Sequence, residues 1–344
     1  MNGRPTVVVV RDAIQWDDAL RAAPRADLLQ SWQWGEFKRQ TGSWAPLRLL
    51  ALRDGVPCAG VQVLSREVAG ARFLYAPRGP WWTDADGVAA LVRWLRHHGW
   101  RTPMLRCDPP VMDAAALVKC GFRLAPRQVQ PRATIVVDLT PSDEQMLANF
   151  DGQVRYNARL AERKGVDIVE GGVERIEEFW QLLTATAERK QFIERPLAYY
   201  RMLMELYGAD ARVLLARYQD ATVAGAVIAT YGRTAYYLYG ASGGDRSVKP
   251  AELLQYRAML WAKRHGATTY DMWGIPAHPG PSNPLYGVFR FKSGFGGSMV
   301  TYPGALDLAL WPAPSRLPGA LEALALKSRS LLRGQGFALH DHLA

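Results

Sequence analysis

The chain has 344 residues, 49% of them hydrophobic and 22% charged, the balance of a globular protein long enough for two domains with separate cores. No stretch reaches the ~18 uninterrupted apolar residues of a spanning helix, and three cysteines (Cys58, Cys107 and Cys120) without metal-ligand spacing predict reduced, packed thiols in the cytoplasm. The formal net charge of +10 admits a polyanionic partner (nucleic acid, a phosphate-rich substrate or an anionic membrane face) without selecting among them.

In chain order, the valine run between Arg4 and Arg11 is too short for a secretory signal and reads as a buried first strand. Helices are expected at Trp16–Ala22 and Trp34–Gln40, the second with Ser31 as its N-cap. β-Branched and aromatic alternation predicts strands at Leu47–Arg53, Ala59–Ser65 and Arg72–Ala76. Asp84 or Asp86 opens a helix ending at Gly99, and Met104–Cys107 is a short strand closed by Pro109 and Pro110. A short helix, Asp113–Cys120, and a strand, Thr134–Leu139, complete the first half. A new helix starts within Thr140–Glu144, with proline early and acids in the first turn. Val154–Lys164 is helical and sets Arg155, Arg159, Arg163 and Lys164 along one face, either a solvated stripe or an anion-facing one. The second half continues with helices Glu177–Lys190 and Pro196–Tyr207 and strands Val213–Tyr218, Thr222–Tyr231 and Thr234–Gly240. Helix Pro250–His265, strand Thr269–Trp273, a Pro/Gly-rich loop Gly274–Asn283, a strand near Met299–Leu308 and a helix from about Leu317 to Leu332 finish the chain.

The second half repeats the first. Gly55–Leu64 leads to Ala71–Pro77 as Asp220–Ala229 leads to Ala235–Ala241, and Leu91–Trp100 runs into Met104–Pro109 as Met259–Ala267 runs into Tyr270–Pro276. Both copies close on Lys-x-Gly-Phe, at Lys119–Phe122 and Lys292–Phe295. Each copy resembles an acetyltransferase-superfamily unit. The expected fold is therefore α/β (α+β), a tandem pair of GNAT-like domains with mixed sheets flanked by helices. Domain 1 is expected over 1–143, completed by 305–344, and domain 2 over 144–304. In that superfamily a glycine-rich loop at a helix N-terminus cradles the pyrophosphate of coenzyme A. Here it reads Arg246-Ser-Val-Lys249-Pro-Ala251, where lysine replaces a glycine and Pro250 deletes an amide, so no acyl-CoA cofactor is expected.

Lys292 is the most chemical residue, set among aromatics in Pro284–Gly297 ahead of glycines that let backbone approach a ligand. Such a lysine can donate to an oxyanion or clamp a carboxylate or phosphate; the bland alternative is a snorkelling surface lysine. Seven further segments occur in order between about Gln30 and Tyr302: Ser31-Trp-Gln-Trp-Gly-Glu-Phe-Lys38, Leu105-Arg-Cys-Asp-Pro109, Arg155-Tyr-Asn157, Lys164-Gly-Val166, Phe192–Tyr199, Tyr237–Ser242 and Tyr270–Gly274. Together they resemble the FemABX family, and its shorter FemX-like members most, since no charged heptad stretch interrupts the second half.

The resemblance implies an enzyme, an aminoacyltransferase that moves an amino acid from aminoacyl-tRNA to the side-chain amine of residue three of a peptidoglycan stem peptide. Such interpeptide bridge synthesis belongs to cell-wall biogenesis and cell shape. It implies Lys38 and Arg195 on the diphosphate of a UDP-muramyl pentapeptide or lipid-linked precursor, and Tyr199, Tyr237 and Tyr239 along the peptide channel. Asp108 would bind or deprotonate the attacking ammonium, and Lys292 would stabilise charge on the ester. Tyr237 and Tyr239, two apart on a strand, are expected to face one side. No metal and no cofactor beyond the aminoacyl-tRNA co-substrate are expected, in a cytoplasmic monomer with peripheral contact to the inner membrane face. An aminoacyl-tRNA–protein transferase, an acyl-CoA N-acyltransferase and a noncatalytic RNA-binding or membrane-associated module are the alternatives.

Overall fold

The alternating apolar runs become the strands of two sheets in the computed structural model, which describes residues 3–311 apart from Ser43, Ala69, Gly70, Gly99, Arg101 and Phe192. The helix expected at Leu317–Leu332 lies outside the described residues. The first unit forms β1 (Thr6–Val10), α1 (Ala13–Arg21), α2 (Trp32–Gly42), β2 (Ala45–Arg53), β3 (Val56–Val68), β4 (Ala71–Ala76) and β5 (Trp81–Trp82). It continues with α3 (Ala85–His97), β6 (Met104–Cys107), α4 (Ala115–Lys119) and β7 (Phe122–Leu124). The second unit forms β8 (Ala133–Asp138), α5 (Asp143–Ala148), α6 (Gly152–Arg163), β9 (Asp167–Gly171), α7 (Ile176–Lys190), α8 (Leu197–Tyr207), β10 (Ala211–Tyr218) and β11 (Ala221–Tyr231). It closes with β12 (Thr234–Ser242), α9 (Pro250–Arg264), β13 (Thr269–Ile275), α10 (Tyr286–Ser293) and β14 (Ser298–Thr301), and β15 (Leu306–Ala309) then rejoins the first sheet.

Local chemistry accounts for many of the boundaries. Ser31 Oγ accepts from the Trp34 amide at 3.1 Å and starts α2. Of the two aspartates able to open α3, Asp84 is the cap, accepting from the Asp86 amide at 3.0 Å. Ser142 and Gln145 form a capping box at α5. No helix among the described residues exceeds 15 residues, so no coiled-coil arm is present there.

The duplication holds strand for strand. The first sheet runs β1-β2-β3-β4-β6-β15-β7, with β5 added on β3; the second, read from its far edge, runs β9-β10-β11-β12-β13-β8-β14. In each sheet the fourth and fifth strands are parallel, joined by a helical crossover through α3 or α9, and the sixth is antiparallel to both neighbours. The tandem GNAT-like pair of mixed sheets is therefore the fold.

Three expectations are corrected. Thr134–Leu139 does not complete the first half: β8 pairs with β13 and β14 and buries Ala133, Ile135 and Val137 in the second core, so the second unit begins at Pro131 rather than at 144. The strand near Met299–Leu308 is two strands, β14 and β15, in different sheets. The valine run is a sheet edge instead of a buried strand, with Val9 41% exposed. The three cysteines are free thiols, Cys58 and Cys107 buried.

Candidate functional site

In the second unit β12 and β13 are held parallel only over Thr234–Tyr236 against Thr269–Asp271. Beyond that point each is kinked. Leu238 is an extra residue in β12, since Val227 pairs with Tyr239 and Ile228 with Tyr237. In β13 the register against β8 breaks between Asp271 and Gly274, where Trp273 takes a left-handed φ of 64°. Bulges re-aim side chains and end pairing, and these two part the strands.

The amphipathic α10 delivers Lys292 to this parting. Of its eight residues only the lysine is buried, at 9% exposure, while Phe289 and Phe291 pack on the core. Lys292 Nζ donates to the Gly274 carbonyl at 2.9 Å, the group that the β13 kink presents, and lies 5.7 Å from the Tyr237 ring centre. It makes no ion pair among the described residues. Burial pulls its pKa from 10.5 down to about 8, against the opposing charge of Asp271. Asp271 is itself held, accepting from the Trp273 amide at 2.7 Å and from the Thr134 hydroxyl. Burial pushes the Tyr237 phenol up to about 12, so it stays a neutral hydrogen-bonding group.

The bulge at Leu238 overturns the expectation that Tyr237 and Tyr239 share a side. Paired residues face the same way, and Val227 and Ile228 are adjacent, so their partners point to opposite faces. Tyr237 packs toward Lys292 and the core, whereas Tyr239 joins Tyr199 and Tyr200. There the Tyr200 and Tyr239 rings meet edge to face at 5.0 Å, and the Arg195 guanidinium carbon lies 5.0 Å from the Tyr199 ring centre. Glu194 braces this group: its Oε1 accepts from the Arg195 amide at 2.7 Å and from the Tyr200 hydroxyl. Burial raises the Glu194 pKa, while the Tyr200 hydrogen bond and Arg195 oppose the rise.

The first unit holds the other two expected residues. Lys38 rides on α2, its Nζ 4.6 Å from the Trp34 ring centre and 5.1 Å from that of Phe37. Beneath α2 lies a buried polar network. Arg48 Nε donates to Gln62 Oε1 at 2.8 Å, and Arg48 Nη2 donates to the Trp32 carbonyl at 3.1 Å and to Glu36 at 3.2 Å. Gly35 belongs to the motif because a Cβ there would overlap Gln62 Oε1 and Arg48 Nη2. Asp108 is 2% exposed at the end of β6. It accepts from Tyr75 Oη at 2.6 Å, the Arg78 amide at 2.7 Å and the Gln130 amide at 3.2 Å. Desolvation raises its pKa and the Arg78 charge holds the rise back.

A sequence model of the FemAB family matches residues 111–221 and 217–314, together more than half of the chain. The chain belongs to the FemAB family. Among its relatives are the lipid II:glycine glycyltransferases of Staphylococcus haemolyticus strain JCSC1435 and Staphylococcus aureus strain COL, each 25% identical over 86% of this chain and 90% of that protein. The crystal structure of FemX superposes with a TM-score of 0.81 at 22% identity, over 92% of this chain and 99% of that one. A tandem GNAT protein of the clavulanic acid pathway superposes at 0.56 with 14% identity, over 90% and 100%. These two superpositions concern the fold alone.

The structure thus groups Arg195, Tyr199 and Tyr239 in one cluster of this FemAB-family chain and Tyr237 with Lys292 in another, and sets Lys38 and Asp108 in the first unit. Sequence reasoning missed Asp271, Glu194 and Tyr200 as members. Asp271 was signalled by a carboxylate inside an apolar strand, and Glu194 by its place beside Arg195 ahead of a tyrosine pair.

Proposed function

We propose that this FemAB-family chain transfers an amino acid from aminoacyl-tRNA to the side-chain amine of residue three of a peptidoglycan precursor stem peptide. The observation that carries the reading is Lys292, a buried cation without an acidic ion-pair partner among the described residues, placed where two parallel strands part. The names of the relatives favour a lipid-linked acceptor and glycine as the first donor to try.

The amine nitrogen attacks the ester carbonyl carbon, a C–N bond forms, the C–O ester bond breaks, and the ribose hydroxyl leaves with the proton that the amine loses. At pH 7 a lysine of pKa about 8 is about nine-tenths ammonium, ready to donate to the oxygen that becomes negative during attack. Tyr237 adds a neutral hydroxyl beside it. Within the second unit Arg195, with a planar fork, suits phosphate oxygens of the precursor, while Tyr199 and Tyr239 meet its peptide; Lys38 offers a point charge on the first unit. Asp108, spent on three hydrogen bonds, keeps the Arg78 turn of the first unit in place. The start of α9 supports RNA rather than coenzyme A as the acyl carrier: Lys249 sits at φ 57° and Pro250, the first helical residue, has no amide to offer a pyrophosphate. The reaction takes place on the cytoplasmic side of the membrane.

The test is transfer from a panel of charged tRNAs, glycyl-tRNA first, onto lipid-linked and UDP-linked precursors, read by mass spectrometry. A gain of one aminoacyl residue at the third stem position is expected. No mass gain with any donor on either acceptor would refute the reading.

A further inference from the structure

The segment Arg155-Tyr-Asn157 contains one residue for which the fold has no use. Arg155 turns back, its Nη1 donating to the carbonyls of Ala148 at 2.7 Å and Phe150 at 3.1 Å, and so closes the end of α5. Asn157 is buried and bridges α6 to α9, donating to Glu252 at 2.8 Å and accepting from Gln153 at 2.9 Å. Tyr156 does neither. It is 53% exposed in the middle of a helix whose buried residues are Asn157, Ala158 and Ala161.

The face opposite those buried residues carries Tyr156, Arg159 and Arg163 at spacings of three and four, with exposed Lys164 just past the helix end. The Arg163 guanidinium carbon lies 5.9 Å from the Tyr156 ring centre. Neither Arg159 nor Arg163 forms an ion pair among the described residues. Glu162 does not neutralise the stripe, because it is drawn to Arg257 at 2.6 Å on the α9 side. The helix dipole accounts for cations at the C-terminal turn, hence for Arg163 and Lys164, but not for Arg159 or the exposed tyrosine three residues before it. A flat aromatic face beside two guanidiniums suits stacked bases and phosphates, whereas a bilayer surface calls for aliphatic anchors that this face lacks.

We propose that the outward face of α6 docks the acceptor arm of the aminoacyl-tRNA. Arg159 and Arg163, one turn and about 6 Å apart along the axis, contact successive phosphates, and Tyr156 stacks on an unpaired base near the 3′ end. The inference rests on the aminoacyl-tRNA reading above and adds where the RNA is held.

The test compares two donors for wild type and the triple variant Tyr156→Ser, Arg159→Gln, Arg163→Gln: full aminoacyl-tRNA, and a short aminoacylated dinucleotide that ends before the acceptor-arm phosphates and the unpaired base assigned to α6. With the full tRNA, kcat/KM is expected to fall about 100-fold, and the slope of log affinity against log salt to become shallower by about 1.5–2. Transfer from the dinucleotide should be unchanged. Equal kcat/KM with full tRNA overturns the proposal, as do equal losses with both donors. Loss of binding to anionic vesicles with tRNA transfer intact assigns the face to a membrane and also overturns it. A wild type inactive with both donors refutes the aminoacyl-tRNA reading and this docking with it.

Discussion

Lys292→Met should make the protein more stable and nearly inactive at once. Burial lowers the lysine pKa from 10.5 to about 8, which at about 1.4 kcal/mol per factor of ten corresponds to about 3 kcal/mol of destabilisation by the buried ammonium. Methionine fills similar volume without charge but leaves the Gly274 carbonyl without its donor, at a cost of about 1–2 kcal/mol. The net expectation at pH 7 is a gain of about 1–2 kcal/mol. The unfolded lysine keeps its proton up to 10.5, whereas the folded one releases it near 8. The cost is therefore fully present below pH 8, and wild-type stability climbs relative to the variant between pH 8 and 10.5. Urea unfolding of both proteins at pH 7, 8, 9 and 10 isolates this effect, because all other titrating groups are common to the two. Transfer should drop by about 10²–10³. A variant less stable at pH 7 by more than 1 kcal/mol, with a gap that stays constant to pH 10, would show that the ammonium is not desolvated.

Two further outcomes test the surroundings. Asp271 is the charge that holds the Lys292 pKa up, so Asp271→Asn should move the alkaline fall of transfer to lower pH; an unmoved alkaline limb in the pH–rate profile would remove Asp271 from the site. Gly35→Ala would press a methyl into Gln62 and Arg48 and should lower the stability of the first unit by about 1–3 kcal/mol, read as a drop in urea midpoint at unchanged slope; an unchanged midpoint would refute that packing.

Several features of the site were legible because their causes are local. Gly35, Glu36 and Lys38 stand in one motif, and the network beneath α2 explains the first two by contact: no room for a side chain, and an acceptor for Arg48. Lys292 was singled out by the aromatics and glycines around it: Phe289 and Phe291 seat its helix on the core, and Gly294 ends that helix. Its lowered pKa was not legible, since it comes from burial in the tertiary fold, opposed by Asp271, 21 positions away in the chain. Arg155 was read with Arg159 and Arg163 as one stripe, and only the position of the α5 carbonyls separates it from them.

By itself the sequence determined the elements and the fact of their repetition, because caps, turns and hydrophobic periods act over a few residues. The Ser31 and Asp84 caps and the Met104–Cys107 strand needed nothing distant. Tertiary structure decided which sheet each strand entered. β8 and β15 fill the same sixth place in the two sheets, and no short-range pattern says which takes which. It also decided the sides of Tyr237 and Tyr239, since one extra residue at Leu238 inverts every facing beyond it, and that register is set by pairing with β11 rather than by β12 alone.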